Sequence, residues 1–347
     1  FNILHLINER KFKRMNFINK NLRGILFCFA LAVPATYLGK LFPVVCAPVF
    51  AILFGLAAAF WKRPAFFQPG IQFTAKKILQ YSIILLGFGM NLFEILAVGS
   101  QSLLIIVSTI GTALITAYIL SRIMNIERDI ATLVGVGSSI CGGSAIAAAA
   151  PVIKASDKDI AQSISVIFLF NVVAAFLFPA LGDMLGFTDT GFGMWAGTAI
   201  NDTSSVVAAG QTWASAHGSD TALNYATIVK LTRTLAIIPI CLGLAYITSK
   251  TKNTAADVKI TSIFPMFILY FVMAAIFNTL AGESLPVLAQ LPSIGKFMIA
   301  MAMAAIGLNT NLVSLVKSGG KPILLGLVCW IFIALVSIGM QHVLGIW

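Results

Sequence analysis

The sequence predicts an all-α polytopic membrane protein of about eleven transmembrane helices, and three observations predict it. The 347 residues are 59% hydrophobic and only 10% charged, well outside the range of a soluble domain. Apolar runs of roughly 20 residues recur along the whole length, each long enough to cross a bilayer as a helix. The period-two alternation of a membrane β-barrel is absent, and no polar stretch is long enough to build a separate soluble core.

A basic segment, residues 1–21, precedes a single transmembrane domain, residues 22–347. Hydropathy places spans at approximately 22–40, 42–61, 77–96, 102–121, 130–152, 160–182, 192–213, 222–248, 260–281, 295–316 and 322–345. The charged loops set the orientation. One side collects Arg10, Lys11, Lys13, Arg14, Lys20, Arg23, Lys62, Arg63, Lys76 and Lys77, then Arg122, Arg128, Lys250, Lys252, Lys259, Lys317 and Lys321. The other holds Lys40, Lys154, Lys158 and Lys296. Positive charge marks the cytoplasm, so the expected N-terminus is cytoplasmic and, with an odd count, the C-terminus is periplasmic in a bacterial inner membrane. The net charge of +11 is that cytoplasmic face and calls for no nucleic-acid partner. No small-residue cleavage site follows the first apolar run, so no cleavable signal peptide is expected.

Cys28, Cys46, Cys141, Cys241 and Cys329 all sit in apolar segments, without a CxxC or Cys/His cluster. They read as small buried hydrophobes rather than as a disulfide framework or zinc site. His5, His217 and His342 lie near ends or loops and receive no role. No HExxH, GxSxG or Walker A motif is present, so neither an enzyme nor a cofactor is expected.

Two internal similarities stand out. LLGFGMNL (85–92) and AIGLNTNL (305–312) pair Gly87 with Gly307, Asn91 with Asn311 and Leu92 with Leu312, with Lys76 and Lys296 upstream. They fall on the third and tenth spans, whose odd separation gives opposite orientations, as in inverted-repeat transporters. GSSICGGSAIAAA (137–149) and GTAINDTSSVVAA (197–209) pair Gly137 with Gly197, Ile140 with Ile200 and Ser144 with Ser204. They fall on the fifth and seventh spans, whose even separation makes them parallel. Either the span count fails there or the likeness is convergent, and convergence is preferred.

Both stretches carry glycine, serine and polar residues inside apolar runs. Freed N–H and C=O groups cost several kcal/mol each in lipid, so an unwound stretch must be buried in protein or line a watery cavity. The half-helix beyond the break points its positive end at the site. The expected site therefore holds Ser138, Ser139, Cys141, Gly142, Gly143 and Ser144 from one break and Asn201, Asp202, Thr203, Ser204 and Ser205 from the other. Residues 137–144 and 200–205 are expected to be unwound, near the midplane and near each other. Asn91 and Asn311 join them at equivalent positions about a pseudo-two-fold axis. Close packing through small residues is the competing account.

Lys230 and Arg233 have no loop to belong to. A buried cation costs at least ~2.5–3.5 kcal/mol, so each should face a cavity or a partner. Asp202 is the clear intramembrane acid; Glu94 lies near a span end and reads as interfacial. Two cations against one acid leave a positive surplus, which favours an anionic substrate bound by Arg233 through two oxygens and by Lys230 as a point charge. The alternative is that either cation braces two helices by pairing with Asp202.

The runs LLGFGMNLFEIL, GVGSSICGGSAIAAAAPVIKASDKDIA, SVIFLFNVVAAFLFPALG, AGTAINDTSSVVAAGQ and VKLTRTLAIIP resemble the YeiH family, whose members are named as sulfate exporters. The resemblance covers nearly all of the chain from about Leu22 on. A weaker one goes to the bile acid:sodium symporters, where a helix is broken at CC-P-GG; Cys141-Gly142-Gly143 stands there, without the proline. These resemblances imply two inverted five-helix repeats, approximately 42–183 and 190–345, plus one extra helix, with broken helices in a mobile core and a panel or dimerisation region beside it. They imply a secondary transporter exporting a small anion, sulfate, sulfite or an organic sulfonate, with protons or sodium as coupling ion. Asn201-Asp202 opposed by a lysine also resembles cation/proton antiporters, and a cation/proton antiporter or a sodium-coupled symporter using that pair is the first alternative. A non-transporting sensor or structural membrane protein is the second, and the intramembrane charges argue against it.

Overall fold

The computed structural model describes residues 2–41, 47–61, 63–252, 265–281, 285–310 and 320–347, and no strand occurs among them. In chain order the helices are α1 (Asn2–Leu41), α2 (Ala47–Ala59), α3 (Gln68–Phe73), α4 (Leu79–Gly87), α5 (Leu92–Met124), α6 (Arg128–Ser139) and α7 (Gly143–Ile153). There follow α8 (Asp157–Leu185), α9 (Asp189–Ala199), α10 (Thr203–His217), α11 (Thr221–Thr234), α12 (Ile237–Lys252), α13 (Met266–Ala281), α14 (Leu291–Asn309) and α15 (Gly320–Leu344).

Six stretches are long and apolar enough to cross a membrane: Lys20–Leu41, Leu92–Met124, Lys158–Leu185, Thr221–Lys250, Leu288–Asn309 and Gly320–Leu344. They coincide with the first, fourth, sixth, eighth, tenth and eleventh expected spans. The second and ninth fall on the shorter apolar helices α2 and α13. The third is displaced. α3 continues into α4 through a π-helical turn at Thr74–Ile78, and this rod ends at Gly87 rather than running on to residue 96. Asparagine is a favoured N-cap, and Asn91 starts α5, its side chain accepting from the Phe93 amide at 2.8 Å. Asn311 lies outside the described residues, so its expected equivalence to Asn91 has no structural counterpart here.

Small residues set the closest crossings, as expected where helices associate by packing alone. A Cβ on Gly24 of α1 would stand 2.6 Å from the Gly70 Cα of α3. One on Gly55 of α2 would stand 2.9 Å from the Gly307 Cα of α14.

The fifth and seventh expected spans do not cross; each doubles back. In a straight helix, residues nine apart are separated by about 13.5 Å along the axis. A Cβ on Gly137 would nevertheless stand 3.0 Å from the Ile146 side chain, so α7 returns along α6. The Gly142 amide donates to the Gly137 carbonyl at 3.0 Å, and Gly142 takes the left-handed φ of 67° that the reversal needs. In the second hairpin the Trp213 indole, near the end of α10, donates to Asp189 at the start of α9 at 2.7 Å. Its ring stacks on Phe192 with centroids 4.1 Å apart. α11 lies against both arms, with Gly193 and Gly197 of α9 on Tyr225 and Val229 and Gly210 of α10 on Leu223.

α8 sets the two hairpins against each other. It has 29 residues, about 43 Å of helix. It begins just after α7 ends, at the base of the first hairpin. At its far end Gly182 packs on Phe192 and Trp213, and Asp183 lies 3.1 Å from His217, at the base of the second. Asn171, at its middle, touches both tips: the Asp202 amide donates to its Oδ1 at 3.0 Å, and its Nδ2 is 3.4 Å from the position of a Gly142 Cβ. The hairpins thus enter from opposite ends of α8 and meet halfway. Their sequence likeness no longer implies parallel spans, because only α8 runs from one base to the other.

Candidate functional site

The tips match position for position. α6 ends at Ser139 and α9 at Ala199; α7 begins at Gly143 and α10 at Thr203. The non-helical residues are Ile140–Gly142 and Ile200–Asp202. Both breaks are shorter than the expected 137–144 and 200–205. Ser138 and Ser139 still make helical bonds, and Gly143, Ser144 and Thr203–Ser205 already lie in the returning helices.

Two kinds of helix end are brought together. The last carbonyls of α6 and α9 lack intrahelical partners and carry the negative ends of both dipoles. Lys230 and Arg233, one turn apart on α11 and fully buried, face them. Lys230 Nζ donates to the Ile140 carbonyl at 2.6 Å and the Ile200 carbonyl at 3.0 Å. Arg233 donates from Nε to Ser139 O at 2.7 Å, from one terminal nitrogen to Ser138 O at 2.8 Å, and from the other to Thr198 O. Ile140 aligns with Ile200 and Ser138 with Thr198, so each cation binds corresponding carbonyls of both hairpins. Sequence reasoning put these cations on an anion or on Asp202. Two of the three Lys230 donors and three of the five Arg233 donors are instead spent on backbone. Among the described residues no ion pair joins either one to Asp202.

The positive ends of α7 and α10 form the other face of the site. Asp202 is the N-cap of α10: its Oδ2 accepts from the Ser204 amide at 3.0 Å and from the Ser204 hydroxyl. Gly142 is the N-cap of α7 and makes no side-chain cap bond. Several polar atoms nearby are buried without a hydrogen-bond partner: Ser138 Oγ, Asn171 Nδ2, and both Asn201 amide atoms. Cys141 and Ser205 are buried, Gly143, Asp202 and Thr203 half-buried, and Ser144 exposed. The expected residues of both breaks therefore gather at one place with Lys230 and Arg233, while Asn91 is exposed at the start of α5. No His/Cys/Asp/Glu group suited to a metal occurs among the described residues.

Asn171 was missed as a site residue. Its signal is a lone amide inside the apolar run SVIFLFNVVAAFLF, flanked on each side by residues that only lipid or core would take.

The profile of a family described as conserved hypothetical protein 698 matches residues 23–326. A UPF0324 membrane protein of Streptococcus mutans is 56% identical over 337 residues, covering 94% of this chain and 98% of that one. A UPF0324 membrane protein of Fusobacterium nucleatum is 54% identical over 345 residues, covering 95% and 100%. One of Streptococcus agalactiae is 51% identical over 328 residues, covering 93% and 98%. No solved structure matches the chain.

Proposed function

The chain belongs to this family of UPF0324 membrane proteins, the YeiH family, and on that footing we propose that it is a secondary transporter exporting a small anion by alternating access. One observation carries the reading: two hairpin tips meet in the protein interior around two buried cations and a single acid, Asp202. The two positive helix ends offset the two negative ones, so the cations leave a net positive site, which an anion neutralises. Sulfate, sulfite or an organic sulfonate is the cargo, and Asp202 is the group that couples its movement to protons or sodium. Lys230 and Arg233 contribute field from behind the tips rather than direct contact.

The hairpins also sharpen the topology we propose. Re-entry returns Lys154 and Lys158 to the side of Arg128, the first residue of α6, leaving Lys40 and Lys296 on the other side. The basic side is the cytoplasm. Two fewer crossings preserve an odd count, so Trp347 stays periplasmic.

Proteoliposomes loaded with labelled sulfate test the function: efflux that accelerates with a pH gradient supports it, and wild-type protein moving no sulfate, sulfite or sulfonate refutes it. A cation/proton antiporter is the second reading, favoured by the unpartnered amide of Asn201 beside Asp202. Sodium-driven collapse of a pH gradient, with no anion moved, selects it.

A further inference from the structure

The two tips differ at one place that matters for charge. Where α10 carries Asp202 as N-cap, α7 carries Gly142. The positive end of α10 is capped by a carboxylate of the chain itself, whereas that of α7 has no side-chain cap bond, although Asp202 stands beside Gly142. Asn171 supplies a second, independent observation. Its Oδ1 accepts from the Asp202 amide, which fixes the amide orientation and turns Nδ2 toward Gly142. The residue is 3% exposed, and Nδ2 has no partner. Nδ2 can only donate, so the missing partner is an acceptor. Ser144, the second residue of α7, is exposed on the protein surface, beside the buried Gly142.

We propose that the N-terminal end of α7 and the Asn171 amide bind one small oxyanion, in the position that the Asp202 carboxylate occupies at α10. An oxyanion offers separate oxygens to the first-turn N–H groups and to Nδ2, and charge strengthens both contacts. Gly142 lies against the Asp202 side chain: a Cβ there would stand 3.2 Å from Asp202 Cβ and 3.3 Å from its Oδ1, so this carboxylate borders the place the oxyanion would take. The proposal deepens the transporter reading and rests on it for the use made of the anion, though not for the binding.

Calorimetric titration of the purified full chain with sodium sulfate tests it, against Asn171→Asp. That variant keeps an oxygen for the Asp202 amide and replaces the donor with a carboxylate oxygen, and sulfate affinity should fall about tenfold or more. A second measurement does not need that variant to fold. Ser144→Cys in otherwise wild-type protein should be alkylated by iodoacetamide several-fold more slowly in saturating sulfate. Wild-type protein that binds no sulfate, or unchanged affinity in Asn171→Asp, or alkylation indifferent to sulfate, overturns the site. Sulfate binding that depends on Asn171 without any efflux from proteoliposomes keeps the site and removes the transporter. Efflux unaffected by Asn171→Asp does the reverse.

Discussion

Replacing Arg233 by lysine separates a structural anchor from a substrate ligand. The exchange keeps the charge and removes the planar fork. Arg233 now serves three carbonyls, Ser138 and Ser139 on one hairpin and Thr198 on the other. One ammonium nitrogen on a shorter stem cannot stand where the three nitrogens of the fork stand, so at least one of the three carbonyls is left buried and unpaired. Each such group costs about 1–3 kcal/mol. The expected loss is therefore about 1–3 kcal/mol with one orphan and twice that with two, a large part of the ~5–15 kcal/mol that holds a fold together. Denaturation in graded detergent, followed through tryptophan fluorescence, should show the midpoint falling whether or not sulfate is present. A variant as stable as wild type, with its apparent KM for the anion raised on the order of 10–100-fold, would refute the anchor: Arg233 would then be spending its donors on cargo.

Three further outcomes follow from the geometry. Asp202→Asn should leave sulfate movement insensitive to pH while preserving sulfate binding, measured as efflux across a series of external pH values; loss of all anion movement and binding counts against a coupling role. Single cysteines at Gly218 and Trp347 should react with an impermeant reagent from the same side, because the Thr188 hydroxyl at the second hairpin base donates to the Trp347 carbonyl at 2.8 Å. A cysteine at Ser156 should react only from the opposite side, and labelling of all three from one side removes the hairpin arrangement. Gly55→Leu should destabilise the chain by about 1–3 kcal/mol or more through overpacking against Gly307, read as a lowered thermal midpoint; unchanged stability would mean that α2 and α14 do not cross there.

Much of the membrane architecture was legible in the residues. Apolar length gave α5, α8 and α15, and the glycines and polar residues of 137–144 and 200–205 announced breaks, which the structure confines to 140–142 and 200–202. The doubling back was not legible, because hydropathy over some twenty residues is the same whether a segment crosses or returns. What distinguishes the cases is contact between distant residues: Gly137 on Ile146, Trp213 on Asp189. The likeness of 137–149 to 197–209 held the clue, but it was read against a span count that made it contradictory. Lys230 and Arg233 were correctly singled out as costly, yet their partners are backbone carbonyls, which every residue possesses and no side-chain pattern reveals. Asp202 was found by its charge alone; Asn171 needed α8 to be seen passing between the tips.

The way α11 holds the carbonyl ends of both hairpins constrains how the molecule can change shape. One buried cluster runs through both hairpins, α8, α11, α12 and α15, and another joins α1, α2, α4, α5, α13 and α14 to the facing sides of α10 and α11. Were either tip to swing out alone, as an independent gate, it would abandon Lys230 and Arg233 and leave its carbonyls bare. A displacement that preserves those bonds must carry both hairpins with α8 and α11 as one rigid carriage. In the transporter proposed above, exposure of the site would change by sliding that carriage past its neighbours, with the seat of the cargo keeping its shape.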